Sequence, residues 1–413
     1  MRVKKVFIIV LAFLMVGCSS QTKVIQEPRS VVLEFFSVKE ETRPIFNQLI
    51  TDFEARYPGI KINQVIVPNG MSVLKTRIAR GDAPDLFISY PFEQDYITRA
   101  RKGYLLDLSR EMFLDRIQPT IQQRYRISGH MYGAAFTQNA VGVLYNKQHF
   151  KQLDLKTPST WDEWVEVMET LEKAGKKPLV MANKEADLTS VLTLNFVANV
   201  FPPSYWKSPL HLQNDSSWME INTKVETLLS YAQKESFSMS YSDANEAFAF
   251  GEGSMYVMGT WALPIIERLK PDLDYGIFPV PVSNSPDENR VLGGVDIGIS
   301  ISSDTEYSNE AKLFLAFLTE QANAQALSLY EGSISTIIGV RKTKESLAIL
   351  EKKVQDGEAV NWPNHYWAGG TAAETEYRLL TQQYFYDLDK TTYLKKLEEM
   401  FQKYTYSPWD DGE

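Results

Sequence analysis

The chain has 413 residues, 44% of them hydrophobic and 23% charged, a length beyond what one hydrophobic core serves and a composition that excludes disorder. Its 43 basic and 52 acidic side chains leave a net charge of −9 without a Lys/Arg block, so no nucleic acid partner is expected. The single cysteine excludes a disulfide within the chain and any structural zinc site built on thiolates. No cofactor or metal is expected.

Arg2, Lys4 and Lys5 open the chain, followed by an apolar run over residues 6–16 and then Gly17, Cys18, Ser19 and Ser20. A spanning helix needs about 20 apolar residues, so the run is too short, and its flanks match a secretory signal peptide. Cys18, behind the small Gly17, stands where a bacterial lipoprotein signal places its acylated cysteine. The expectation is a leader over 1–17, lipidation at Cys18 and a polar tether over 18–27, holding the protein at the extracellular face of the cell membrane. An uncleaved anchor or a plainly secreted protein is the alternative.

Residues 31–36 then read as a buried strand, rich in β-branched and aromatic side chains. Ile45, Phe46, Leu49, Ile50 and Phe53 recur at helical spacing behind Pro44, and Tyr57, Pro58 and Gly59 end that helix. A second strand over 60–67, a helix over 71–80 and a third strand over 85–89 complete an alternation that predicts a parallel sheet with helices on its faces. Such sheets bind ligands at the carboxyl ends of their strands. Farther on, Thr160-x-x-Glu163 and Asp243-x-x-Glu246 read as capping boxes. Strands are predicted over 254–258, 275–280 and 295–301, with a polar loop over 281–290 and an apolar helix over 309–318.

Several motifs occur together in order: Arg80-Gly81-Asp82-Ala83-Pro84-Asp85-Leu86-Phe87; Tyr132-Gly133-Ala134-Ala135-Phe136 leading to Tyr145-Asn146-Lys147; and Pro158-Ser159-Thr160-Trp161-Asp162-Glu163. They continue with Ala247-Phe248-Ala249-Phe250-Gly251-Glu252-Gly253-Ser254-Met255, Gly259-Thr260-Trp261 and Gly293-Gly294-Val295-Asp296-Ile297-Gly298. In this order the chain resembles the carbohydrate-binding solute-binding proteins of bacterial ABC importers, the family of maltose-binding protein, and especially its Gram-positive oligosaccharide-binding lipoproteins. Ala135 departs from the proline usual at that place. The resemblance implies an α/β, two-lobed periplasmic-binding-protein-like fold of type II, with a sugar held in the cleft between lobes. Lobe 1 would take residues 28–138 and 290–340, and lobe 2 residues 139–289 and 341–413, with crossings near 136–140 and 283–290. It also implies an oligosaccharide ligand, ABC permease subunits as partners, a monomer, and no catalysis.

A neutral saccharide needs aromatic plates for its ring faces and fixed donors and acceptors for its hydroxyls. Trp261, after Gly259 at a strand end, is either such a plate or a core residue. Trp362, His365, Tyr366 and Trp367 form the densest aromatic cluster, in a stretch that Pro363 and two glycines mark as a loop. Asp296 interrupts an apolar strand, and a buried carboxylate needs sugar hydroxyls, backbone amides or a lysine to satisfy it. Ser37, Lys39 and Glu40 follow the first strand, Asn69 the second, and Tyr90 and Glu93 the third. Gln138 and Asn139 at the first crossing either bond to sugar or brace the hinge. Asp82 and Asp85 are assigned to the turn before the third strand, and His130, His149 and His211 to surface or packing roles. An exported glycoside hydrolase or lyase, or a sensor for a two-component kinase or a non-sugar solute, are the competing functions; a hydrolase would need two carboxylates across the scissile bond.

Overall fold

A computed structural model describes residues 30–91, 93–340 and 344–404, without the side chain of Gln355. The predicted leader, Cys18 and the tether lie outside the described residues.

Strand β1 (Val31–Ser37) buries Leu33, Phe35 and Phe36 and pairs in parallel with β2 (Ile60–Ile66) and β3 (Leu86–Ile88). Parallel neighbours need a crossover on the sheet face. Helix α1 (Arg43–Arg56) supplies the first, with Pro44 in its first turn and Ile45, Phe46, Leu49, Ile50 and Phe53 buried; Phe46 meets Phe35 of the sheet at 4.9 Å between ring centres. Helix α2 (Gly70–Ala79) supplies the second. Asp85 shapes the entry to β3 as expected, accepting the amide of Glu34 at 2.8 Å and the hydroxyl of Thr305.

Two long antiparallel strands, Ala134–Asn146 and Val291–Ile301, carry the chain onward. Apart from Tyr145, both are buried along their whole length, as the central strands of a covered sheet must be. Their halves serve different cores. Ala134, Ala135, Phe136, Val295, Ile297 and Ile299 pack with β1–β3 and with helix Ser308–Leu318. Val141, Val143 and Leu292 pack instead with Trp164, Trp218 and Tyr377. Membership of the two cores therefore changes between Phe136 and Val141 on one strand and between Leu292 and Val295 on the other. The second lobe adds strands Met255–Gly259 and Tyr275–Phe278 against the far half of Ala134–Asn146, and Leu179–Val180 alongside the first of these.

The capping box at Thr160 and Glu163 is formed. The one predicted at Asp243 lies earlier: Ser240 caps helix Tyr241–Ala249, its hydroxyl accepting the Asp243 amide at 3.2 Å while Asp243 accepts the Ser240 amide at 2.9 Å. The hydroxyl residue three places upstream makes Asp243 the closing member of the box and not its start. Late in the chain, helix Gly370–Asp387 packs on helix Ala186–Val200 of the second lobe. It also reaches the first lobe, where the Thr371 hydroxyl donates to Asp95 at 2.6 Å.

Candidate functional site

The carboxyl ends of β1, β2 and β3 meet at the seam between the lobes. There Val38, Glu40, Asn69, Tyr90 and Glu93 line a cleft of about 800 Å³. The second lobe contributes Trp261, Trp362, Asn364 and His365 and parts of helices Ala186–Val200 and Gly370–Asp387, and the crossing strands contribute Asn139, Val295 and Asp296. Asn69 stands at the head of α2 with a left-handed φ of 54°, a conformation that asparagine tolerates better than most residues.

Asp296 owes its position to a bulge. Val295 pairs with Gln138 and Ile297 with Thr137, so Asp296 is the extra residue, and a bulge re-aims its side chain. Its Oδ2 lies 2.5 Å from the Lys39 ammonium and its Oδ1 accepts the Asn139 amide at 3.0 Å. Lys39 also faces Glu331 at 3.2 Å and Glu41 at 3.6 Å. Glu331, 2% exposed, accepts from Thr137 at 2.8 Å and Ser333 at 3.0 Å. Burial alone would lower the lysine's pKa, but Asp296 and Glu331 outweigh it and hold the ammonium well above its ordinary value. Burial pushes Glu331 up to about 7 against the pull of Lys39. Of the partners open to Asp296, the lysine is thus realised. Each carboxylate oxygen carries two lone pairs, so Asp296 keeps acceptor capacity toward the cleft that it lines.

The aromatic wall is built on glycines. The Trp261 ring lies over Gly259, where an added Cβ would come within 1.9 Å of Cζ3, so a side chain there would displace the indole. Trp362 lies beside Gly294, where a Cβ would stand 3.2 Å from Cδ1. The two rings sit 6.0 Å apart at 41°. The Trp362 Nε1 donates to Asn139 Oδ1 at 3.4 Å, and the same oxygen accepts the Gly294 amide at 3.0 Å. Asn139 thereby links the ring wall to the buried charges. His365 is held neutral: burial first, then the nearby Arg124, pull its pKa down to about 4.

Not every residue expected at the cleft reaches it. Ser37 is fully buried, still paired with Ile66 of β2 and with its Oγ accepting the Lys39 amide at 3.2 Å. Lys39 stands behind Asp296, where its charge is neutralised. Gln138, 5% exposed, sits in the crossing strand between Val295 and Ile334 and is absent from the cleft lining. Tyr366 faces away from the cleft, with its hydroxyl accepting from Asn361 at 2.9 Å. Trp367 is 2% exposed and packs between Trp206, Tyr377 and Phe401, so the aromatic cluster divides between cleft wall and core. Among the three histidines assigned elsewhere, His130 pairs with Asp107 at 2.7 Å and His149 with Ser254 at 2.9 Å, both off the cleft. His211 lies exposed.

Sequence reasoning passed over Glu331, which anchors the buried charge cluster, and the acidic and basic residues of helix Gly370–Asp387. Glu374 and Arg378, an ion pair four residues apart on that helix, both line the cleft. The Arg378 Nε is buried without a partner among the described residues. Across from them, burial and then Glu374 push Glu93 up to about 8.

This has a consequence for stability. Glu93 holds a proton in the fold that the unfolded chain releases near pH 4.5, so the stability it confers at low pH is lost as pH rises through about 8. His365 acts the other way but only below about pH 6.5, its unfolded range. The unliganded protein is therefore expected to melt roughly 2–4 °C lower at pH 8.5 than at pH 6.5, and Glu93→Gln to flatten that slope. Calorimetric scans at the two pH values check this; a parent protein that melts higher at pH 8.5 contradicts it.

Among the described residues no group of His, Cys, Asp and Glu is arranged to hold a metal, and no helix is long and apolar enough to cross a membrane. The family described as bacterial extracellular solute-binding protein matches residues 39–325. The multiple sugar-binding protein of Streptococcus mutans is 29% identical over 369 residues, covering 86% of this chain and 87% of that one. The solute-binding protein RafE in complex with raffinose superposes with a TM-score of 0.85 at 28% identity, over 91% of this chain and 100% of that one. The apo form of RafE from Streptococcus pneumoniae gives 0.78 at 29%, over 92% and 100%. With two α/β lobes, a cleft at the strand ends and crossing strands beneath it, the fold is the periplasmic-binding-protein-like one, and the chain belongs to the bacterial extracellular solute-binding protein family.

Proposed function

We propose that the protein captures an oligosaccharide in the cleft, closes its lobes around it and delivers it unreacted to the membrane subunits of an ABC importer. It would act as a monomer held at the extracellular face by lipid on Cys18. The observation that carries this reading is the tilted Trp261–Trp362 pair beside the Asp296 carboxylate, which Asn139 holds in place by donating to it: ring faces and fixed polar groups within one cleft are what a neutral saccharide needs. Glu40, Asn69, Tyr90, Glu93 and His365 are assigned as further contacts. A better match to the raffinose complex than to the apo form of RafE supports reading the present lobe arrangement as the closed one. Arg124 donating to Asn361 at 3.1 Å and Thr371 donating to Asp95 join the lobes in it. Ligand would favour that state by bridging both lobes.

Raffinose, carried by RafE, and stachyose and melibiose, in the name of a more distant Bacillus subtilis relative, are the first sugars to try. Calorimetric titration of the mature chain should give one tight site in the cleft. At about 100 times the dissociation constant, ligand should stabilise the fold by about 2.7 kcal/mol. Chromatography should then recover the sugar intact. Cleaved product would point to a hydrolase, and failure of the whole panel to bind would remove the oligosaccharide reading.

A further inference from the structure

A second cavity, of about 950 Å³, lies wholly within the second lobe. It shares a wall with the cleft. Along the segment 361–366, Trp362, Asn364 and His365 line the cleft, whereas Asn361, Pro363 and Tyr366 line the second cavity. Trp161, half-buried, lines it too, held edge-on to Trp164 and Phe196 at 6.0 Å, with the Lys224 ammonium 5.6 Å from its ring centre. Lys224 is itself fixed by Glu220 at 2.6 Å and the Val282 carbonyl at 2.8 Å, so this side of the cavity is rigid. The side chains of Asp287 and Arg290, exposed on its rim, have no partner among the described residues.

We propose that this cavity is a second saccharide site, distinct from the cleft and argued from its own lining. Its chemistry repeats the requirements of a neutral polyol: two half-buried rings, Trp161 and Tyr366, and a rim that offers a donor fork at Arg290 and an acceptor at Asp287. Acidic and basic groups are mixed around it, so no single sign of charge favours a phosphate or a polyamine. Its lining comes from one lobe, and Arg124 of the other lobe holds the lining residue Asn361 at 3.1 Å. The shared segment gives occupancy here a route to the cleft: a sugar held against Tyr366 fixes the stretch that presents Trp362 and His365. Binding at either site should then strengthen the other by the same factor.

The mature chain carrying 5-fluorotryptophan, with the Trp161 resonance assigned through Trp161→Phe, separates the sites by fluorine NMR. Raffinose, sucrose and melibiose are the probes, titrated to tens of millimolar. The expected result is a Trp161 shift with its own midpoint, distinct from that of Trp261 and Trp362, and its loss in Asp287→Ala/Arg290→Ala while the cleft resonances still respond. Two results would overturn the proposal: no Trp161 shift with any of the three sugars, or a shift that follows the cleft midpoint and survives the double variant. Cleft resonances that stay still while Trp161 moves would support the second site and count against the reading of the cleft, so the two fail separately.

Discussion

Lys39→Met is expected to cost about 3–5 kcal/mol of stability at neutral pH. The lysine is 7% exposed and is the cation shared by Asp296 at 2.5 Å and Glu331 at 3.2 Å. Methionine keeps most of the volume but leaves those carboxylates buried without a counter-charge. The loss should shrink as pH falls, because a carboxylate stripped of its cation takes a proton more readily and becomes neutral. Adding Asp296→Asn and Glu331→Gln to the variant should restore much of the stability, since neutral groups in place of a whole buried ion cluster are often tolerated. Urea unfolding at pH 7.5 and pH 5 measures all three effects. A single variant within about 1 kcal/mol of the parent at pH 7.5 would mean that the cluster is not what holds the floor of the cleft.

Trp362→Ala should raise the dissociation constant for the cleft sugar by roughly 10- to 100-fold, the equivalent of about 1.5–3 kcal/mol of ring burial. It should leave the melting temperature of the unliganded protein nearly unchanged. The ring is only half-buried and its one hydrogen bond, to Asn139, is 3.4 Å long, so it contributes little to the fold and much to a ligand stacked on it. Trp261→Ala should act similarly, and the double variant less than additively, because the rings lie 6.0 Å apart and shape one surface. Titration calorimetry of the three variants decides the matter; unaltered affinity in Trp362→Ala would exclude stacking on that ring.

The parallel core of the first lobe was open to sequence reading because its signals are local. The apolar rows of β1 and α1, the breaker at Tyr57-Pro58-Gly59 and the capping box at Thr160 each depend on residues within one or two turns of one another. Topology then carries Glu40, Asn69, Tyr90 and Glu93 to the cleft without any side-chain geometry, since the ends of parallel strands share one edge. Trp367 shows where that reasoning stops. It stands one residue from Tyr366 and five from Trp362, and composition treats the three alike. The short turn Pro363–Tyr366 sends one ring to the cleft, one to the cavity behind it and one into the core. Glu331 shows the same limit from the other side: nothing near it in the chain distinguishes it from any acidic residue at a helix end.

From the chain alone followed the α/β character, the order of the first lobe, the family likeness and the idea of aromatic and amide groups at a seam. Those properties rest on periodicity, caps and strand order, which are written in neighbouring residues. Only the folded molecule decided that Asp296 answers to Lys39, that Asn139 joins the indole of Trp362 to that buried pair, and that helix Gly370–Asp387 brings Glu374 and Arg378 to the cleft. Lys39 and Asp296 are 257 positions apart in the chain, and a bulge of one residue turns the carboxylate toward its partner. Contacts set by such distant approach, and by the direction in which a single side chain leaves the backbone, leave no trace in local pattern because no local energy encodes them.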